Sequence, residues 1–327
     1  MEKNINISVI RLISLLMIIT CHIFQGLDNE FAFWFNLGVQ IFFFISGYLY
    51  GNKEVRDFKK FFKNKIIKIL MPLSVLVLIM VIVEYFCFNH SYSKKFILAN
   101  LLGFGGFYGT LDLLGNTWFV SYILICYLLT PVLQKLIKNN VNATKNLLIL
   151  IVLSILFMEF DVMYINGIWL CNYIIGYYYG SNIKTKKKKR DFRYIILALI
   201  TIVLPFSLCL KYDLINGIPN IIRSYRLLIC SMEHTLLGCL LFLMFNFVLG
   251  KINIKDNYIL RFSDKYSYYI YLVHQIFILN DMSLLNLTDY FMINIIIIFI
   301  MAILCGVILY WLCFLILKLS KTILVKN

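Results

Sequence analysis

The sequence predicts an all-α fold, a polytopic bundle of about ten transmembrane helices with both termini in the cytoplasm. Three observations support this prediction: the composition, the length of the apolar runs and the placement of the basic residues. Hydrophobic residues make up 61% of the 327 residues, charged residues only 14%, and the mean hydropathy is +0.85. A soluble domain averages about 45–50% apolar and about 25% charged residues, so no soluble globular fold fits.

Apolar runs long enough, or nearly long enough, to cross a bilayer recur along the chain. A helix needs about 20 apolar residues to span the hydrocarbon core. The first run lacks a small-residue cleavage site, so we expect it to be retained. The ten predicted spans are Ile5–Gln25, Trp34–Gly51, Ile69–Phe88, Thr117–Leu136, Leu147–Met163, Ile168–Ser181, Tyr194–Leu210, Leu227–Leu249, Tyr266–Asn280 and Phe291–Leu317.

The basic residues orient these spans. With the N-terminus inside, 25 of the 31 Lys and Arg residues fall on the cytoplasmic side, five fall outside, and Arg11 lies within the first helix. This asymmetry obeys the positive-inside rule. The basic cytoplasmic loops therefore account for the net charge of +15. We expect these loops to contact membrane lipids, and we expect no nucleic acid partner.

We expect residues 1–327 to form a single transmembrane domain, because no stretch between spans is long enough for a soluble domain. We also expect no extracytoplasmic extension. The nine cysteines lie in or beside apolar runs and form no CxxC pair, so we expect no metal site.

Ionisable residues inside the spans are costly, and each is a candidate functional residue. Arg11 and His22 are eleven residues apart, about three helical turns, so they share one face at an axial separation of about 16 Å. They either line a path for an elongated anionic substrate, or Arg11 snorkels to the interface and His22 caps its helix. Glu84, Glu233 and His234 lie near the outer ends of their spans, and we leave them out of the site.

Two other features have both a functional and a structural interpretation. Lys65 and Lys68, an i,i+3 pair, would hold phosphate groups at the cytoplasmic mouth of the third span, or would anchor that span at the interface. Ser46 and Gly47 would let another helix approach closely, or would form a packing notch only.

Five elements together resemble the acyltransferase-3 family of integral-membrane O-acyltransferases, and they occur in that family's order. They are Arg11 with His22, Phe42–Tyr48, Lys65-x-x-Lys68 with Pro72, Asn116–Tyr122 and Ser267–His274. Members of the family typically transfer an acyl group, usually acetyl from cytoplasmic acetyl-CoA, to a hydroxyl group of a surface polysaccharide or lipid-linked glycan. The resemblance therefore implies an acetyl-CoA-dependent O-acetyltransferase in the bacterial inner membrane.

The resemblance also implies roles for individual residues. His22 corresponds to the catalytic histidine and Arg11 to its partner, and Arg11, Lys65 and Lys68 would bind the acyl-CoA donor. Lysines stand where the family usually has an Arg-x-x-Arg pair, so the charge is kept and the bidentate fork is lost.

For the glycan acceptor we predict three contacts: His274, Trp118 and Ser46. His274 either orients the acceptor or satisfies a buried polar contact, and Trp118 either stacks on a sugar or anchors its helix at the interface. The competing functions are a transporter or flippase for a glycan or lipid-linked precursor, and a non-catalytic membrane partner in glycan assembly.

Overall fold

The fold is described from a computed structural model, which describes residues 4–138, 140–159, 168–182 and 226–326. Within these ranges the chain forms helices joined by turns and no strand, which confirms the all-α prediction there. The main helices are α1 (Ile5–Gly26), α2 (Leu37–Gly51), α3 (Phe58–Phe88), α4 (Lys94–Leu101), α5 (Trp118–Ile137), α6 (Ala143–Glu159), α7 (Ile168–Asn182), α8 (Arg226–Leu249), α9 (Tyr258–Val273) and α10 (Phe291–Lys326). Short helical turns occur at Ala32–Phe35, Gly105–Tyr108, Asp112–Thr117, His274–Phe277 and Asn280–Met282.

Six helical segments are long and apolar enough to cross a membrane: Ile5–Gly26, Ala32–Gly51, Phe58–Phe88, Asp112–Leu136, Ile229–Leu249 and Phe291–Ser320. Helices α6 and α7, of 17 and 15 residues, overlap two further predicted spans. The predicted span Tyr194–Leu210 lies outside the described residues. The described part of the chain is a multi-pass membrane bundle, and the total of ten spans stays a prediction.

The bounds predicted for the ninth span, Tyr266–Asn280, are wrong. Helix α9 begins at Tyr258, where the Asn257 side chain accepts a hydrogen bond of 2.9 Å from the Leu260 amide, and it ends at Val273. The first turns of α9 carry exposed charged residues, including Arg261 and Lys265, so a hydropathy criterion assigns them to a loop.

The chain divides into two compact units. The first comprises Met1–Ser14, Asn36–Arg56 and Leu129–Asp256, and the second comprises Leu15–Phe35, Asp57–Leu128 and Asn257–Asn327. Helices α1 and α5 each contribute residues to both units.

In the first unit, α2 and α7 lie side by side along a seam of four glycines. A methyl group added at Gly47 would lie 2.0 Å from a backbone carbonyl oxygen of α7, and one at Gly176 would lie 2.3 Å from a backbone carbonyl oxygen of α2. Gly51 and Gly180 repeat these contacts one turn further along. Each helix thus presents a Gly-x-x-x-Gly motif to the other, which is the small-residue packing that membrane helices use. The close approach of another helix predicted at Gly47 is confirmed.

The direction of these two helices follows from the same contacts. Gly176 meets the carbonyl of Phe44, and Gly180 meets the carbonyl of Tyr48, so residue numbers rise together along the seam. Helices α2 and α7 are therefore parallel.

Candidate active site

His22 and His274, far apart in the sequence, meet in the second unit. His22 lies in the last turns of α1, and His274 begins the 3-10 turn that follows α9. Their ring centroids are 5.1 Å apart, with the rings inclined by 44°. His22 is half-buried, whereas His274 is fully buried. The structure therefore brings together the predicted catalytic histidine and one predicted acceptor-binding residue.

A backbone hydrogen bond determines the tautomer of neutral His274. Its Nδ1 lies 2.6 Å from the carbonyl oxygen of Tyr271. A carbonyl oxygen can only accept, so Nδ1 carries the proton and Nε2 keeps its lone pair. That Nε2 is buried and has no hydrogen-bond partner among the described residues. The imidazole thus holds an unused acceptor close to the His22 ring.

The Nδ1 atom of His22 also has a hydrogen-bond partner, which in this case is a side chain. Its Nδ1 lies 2.6 Å from the amide oxygen Oε1 of Gln25, one turn further along α1. Because this oxygen accepts, Nδ1 donates and Nε2 is left as the basic nitrogen. A neutral imidazole with a free Nε2 is the state that a general base requires.

Asn116 and Tyr271 form two reciprocal hydrogen bonds beside His274. The Asn116 side-chain amide donates to the Tyr271 carbonyl, and the Tyr271 hydroxyl donates to the Asn116 carbonyl at 2.6 Å. The Tyr271 ring also lies 5.5 Å from the His274 ring, centroid to centroid. The His274 side chain is consequently held by the segment that leads into α5.

Trp118, also a predicted acceptor contact, is the first residue of α5. Its ring is half-buried and meets Tyr122 edge-on at 5.7 Å between centroids. Only one residue lies between it and Asn116, which belongs to the same unit as the histidine pair. Its location is compatible with either predicted role.

The predicted donor-binding lysines lie at an irregular point of α3. A π-helical turn covers Ile66–Leu70, just before Pro72, and within it the Met71 amide bonds to the carbonyl of Ile66. This wider turn changes the angle between Lys65 and Lys68 from that of the regular helix assumed in the sequence prediction. The side chains of Lys65 and Lys68 also differ in their exposure to solvent.

The Lys65 Nζ lies 4.0 Å from the centroid of the Tyr127 ring and 5.8 Å from that of Phe61, and the side chain is half-buried. Lys68 is exposed. Lys65 is therefore oriented by aromatic rings, through a cation–π contact, whereas Lys68 extends from the surface of the bundle.

Arg11 and Ser46 belong to the first unit. Helix α1 runs unbroken from Ile5 to Gly26. This confirms the regular helix on which the predicted shared face of Arg11 and His22 depends. Arg11 is half-buried and interacts electrostatically with Tyr50 of α2. Ser46 is half-buried, beside the glycine seam.

The sequence prediction left out a network around Glu84 in the second unit. Glu84 is fully buried, and its Oε1 accepts a 3.0 Å hydrogen bond from the Leu113 amide. The Tyr92 hydroxyl donates to Glu84, and its oxygen also lies 3.0 Å from a carboxylate oxygen of Asp112. Burial, followed by its hydrogen bond to Glu84, raises the pKa of Tyr92. The available signal was a lone carboxylate within an apolar run.

This network includes a group that could ligate a metal ion. Glu84, His90 and Asp112 each offer one ligand atom, and these atoms lie within 4.8 Å of one another. The Tyr92 hydroxyl already bridges the two carboxylates, and Asp112 is exposed. Through the Leu113 amide, this network also holds the start of the segment Asp112–Thr117.

Glu233 and His234 of α8 are likewise buried, with exposed fractions of 9% and 4%. Their predicted position near the outer end of the span stays a prediction. Both belong to the first unit.

Comparison with known proteins identifies the family. The family described as an acyltransferase domain, acyltransferase-3, matches residues 4–311. This match covers nearly the whole chain, and the chain belongs to that family of acyltransferases. No curated protein and no solved structure matches it.

Proposed function

We propose that this member of the acyltransferase-3 family is an O-acetyltransferase of the bacterial inner membrane. It would move an acetyl group from cytoplasmic acetyl-CoA to a hydroxyl group of a surface polysaccharide or lipid-linked glycan. The observation that carries the proposal is the His22–His274 pair, with ring centroids 5.1 Å apart. A thioester is already activated, so the transfer needs chiefly a base for the hydroxyl and protection from water.

In the proposed step His22 is the general base. Its Nε2 takes the proton of the acceptor hydroxyl while the hydroxyl oxygen attacks the carbonyl carbon of the thioester. The new carbon–oxygen bond completes an ester, the carbon–sulfur bond breaks, and the CoA thiolate leaves and takes up the proton from His22. A transient acetyl group on His22 Nε2 is the alternative form of the same reaction.

The donor is proposed to bind through three cations. Arg11, Lys65 and Lys68 would meet the phosphate groups of CoA from the cytoplasmic side. The half-buried Lys65, held above the Tyr127 ring, supports a defined phosphate contact better than the exposed Lys68 does. A lysine contributes a point charge, which suffices for phosphate.

The acceptor is proposed to contact His274, Trp118 and Ser46. The unused Nε2 of His274 would accept a hydrogen bond from a sugar hydroxyl group, and this contact would satisfy the buried nitrogen. The half-buried Trp118 ring would stack on a sugar face.

The orientation of the bundle is part of the proposal. Parallel α2 and α7 require an odd number of crossings between them, and α3, α5 and α6 supply three. This agrees with the predicted order of spans. The proposed outward direction of α1, which carries His22 toward the acceptor side, rests on the distribution of the basic residues.

The test is acetyl transfer in membranes that contain the full chain. We expect radiolabelled acetyl-CoA to label the glycan fraction, and we expect His22→Ala to lower the rate by about 10²–10⁴-fold. Leu27→Ala, at the same end of α1 and exposed, is the matched control and should retain the rate.

Three outcomes would contradict the proposal. Full activity in His22→Ala would exclude His22 from the chemistry. If glycan crosses the membrane but carries no label, the chain is a transporter or flippase. If neither the label nor the crossing depends on His22, it is a non-catalytic partner.

A further inference from the structure

The end of α9 presents carbonyl groups that need donors from elsewhere. A helix leaves its last carbonyls without intrahelical partners, and in an apolar interior no water replaces them. The Asn116 side-chain amide donates to Tyr271, and it lies 3.4 Å from the carbonyl of Leu272. Asn116 is 1% exposed, so these bonds are shielded from solvent.

The carbonyl that Asn116 binds is also the one that holds His274. Its oxygen accepts from Asn116 and, at 2.6 Å, from Nδ1 of His274. The Tyr271 hydroxyl returns a 2.6 Å hydrogen bond to the Asn116 backbone. The position of the imidazole therefore depends on where Asn116 holds that carbonyl.

Asn116 is itself carried by an anchored segment. At the start of Asp112–Thr117, the fully buried Glu84 accepts from the Leu113 amide at 3.0 Å. The Asn280 side chain donates to the carbonyl of Asp112. The segment is held at its first residues by these bonds and at Asn116 by Tyr271, so it acts as a rigid bracket.

We infer that Asn116 is a positioning residue that acts through His274. By holding the Tyr271 carbonyl, it keeps the imidazole proton on Nδ1 and the lone pair on Nε2, in a ring whose centroid lies 5.1 Å from that of His22. This inference rests on the proposed function, in which His274 contacts the acceptor.

The first test is Asn116→Leu, which keeps the approximate size of the side chain and removes the donor. We expect kcat for acetyl transfer to fall by about 10- to 100-fold, while KM for acetyl-CoA stays unchanged. The matched control is Asn294→Leu. Asn294 is also 1% exposed and donates to two backbone carbonyls, at 2.7 and 2.8 Å, but it has no hydrogen bond to the bracket or to His274. It should lower thermal stability and leave kcat unchanged.

A double-mutant cycle separates positioning from general damage. If Asn116 acts through His274, Asn116→Leu should cause no further loss of kcat in a His274→Ala background. Losses that multiply would overturn the inference.

A spectroscopic measurement makes the test independent of activity. In protein labelled with ¹⁵N-histidine, Asn116→Leu should shift the His274 tautomer away from Nδ1–H, and Asn294→Leu should not. An unchanged tautomer would overturn the inference, even if wild-type membranes transferred no acetyl group and the proposed function failed. Should Asn116→Leu not fold, Tyr271→Phe removes the returning hydroxyl; a smaller tautomer shift is expected, and none would contradict the inference.

Discussion

The two histidines differ in how their Nδ1 atoms are held. The Nδ1 of His274 is hydrogen-bonded to a backbone carbonyl and the side chain is fully buried, which restricts the orientation of its ring. His22 is bonded to the flexible side chain of Gln25 and is half-buried. A base must gain and lose a proton in each turnover, and the more accessible histidine suits that exchange. The buried one suits a fixed contact.

The proposed role of the Lys65 charge can be tested by reversing that charge. Lys65→Glu reverses the charge above the Tyr127 ring, so we expect the KM for acetyl-CoA to rise by about tenfold or more, with a smaller change in kcat. Steady-state kinetics with varied acetyl-CoA measures this.

The control for Lys65 is Lys59→Glu, which makes the same charge change at an exposed position of the same helix. An equal rise in KM for both variants would show a general effect of net charge and would remove Lys65 from the donor site.

Two contacts between elements limit which residues the chain can carry there. One is the glycine seam between α2 and α7, and the other is the bracket Asp112–Thr117 at the end of α9. The seam needs close backbones, because any side chain at its four glycines would meet backbone atoms of the neighbouring helix. The bracket needs polar partners, because it joins a helix end to a segment within an apolar bundle.

The seam predicts a stability change. Gly47→Leu places a large side chain where even a methyl group would lie 2.0 Å from a carbonyl oxygen. We expect a loss of about 1–3 kcal/mol or more in the free energy of unfolding, seen as a lower thermal midpoint in detergent.

Ser46→Ala is the control beside it, since Ser46 is half-buried and next to the seam. Its thermal midpoint should stay near that of the wild type. If Gly47→Leu were as stable as Ser46→Ala, the close approach of α2 and α7 would be contradicted.

For the whole molecule, the proposed orientation places the N-terminal end of α3 inside and its C-terminal end outside. Cys87, near that outer end, is the exposed cysteine among those described. In a Cys209→Ser background, which removes the cysteine outside the described residues, we expect a membrane-impermeant maleimide to label intact cells at Cys87, and we expect a further Cys87→Ser change to abolish this labelling.

The N-terminal end of α3, on the proposed cytoplasmic side, can be tested by the same maleimide labelling. In a background that carries both Cys87→Ser and Cys209→Ser, Lys59→Cys should be labelled only after the membrane is permeabilised. Labelling of Lys59→Cys in intact cells would reverse the proposed orientation and place the donor cations on the wrong side for cytoplasmic acetyl-CoA.

Much of the fold could be predicted because hydropathy is a local property. The bounds of α1, α2 and α8 follow the apolar runs to within a few residues. The start of α9 could not be predicted in this way, since its first turns are amphipathic and carry exposed charges. The π turn before Pro72 also escaped, because it depends on how the backbone adjusts to a residue that has no amide proton.

The sequence by itself determined the membrane class of this protein, its helical character and the residue types that fit acyl transfer. Only the tertiary structure decided that His274 faces His22, that Asn116 shares a carbonyl with His274, and that Glu84 is buried. Composition and spacing report the environment of one segment at a time. A hydrogen bond between distant segments depends on how helices pack, and that is set by side-chain volume and polar pairing across the whole unit.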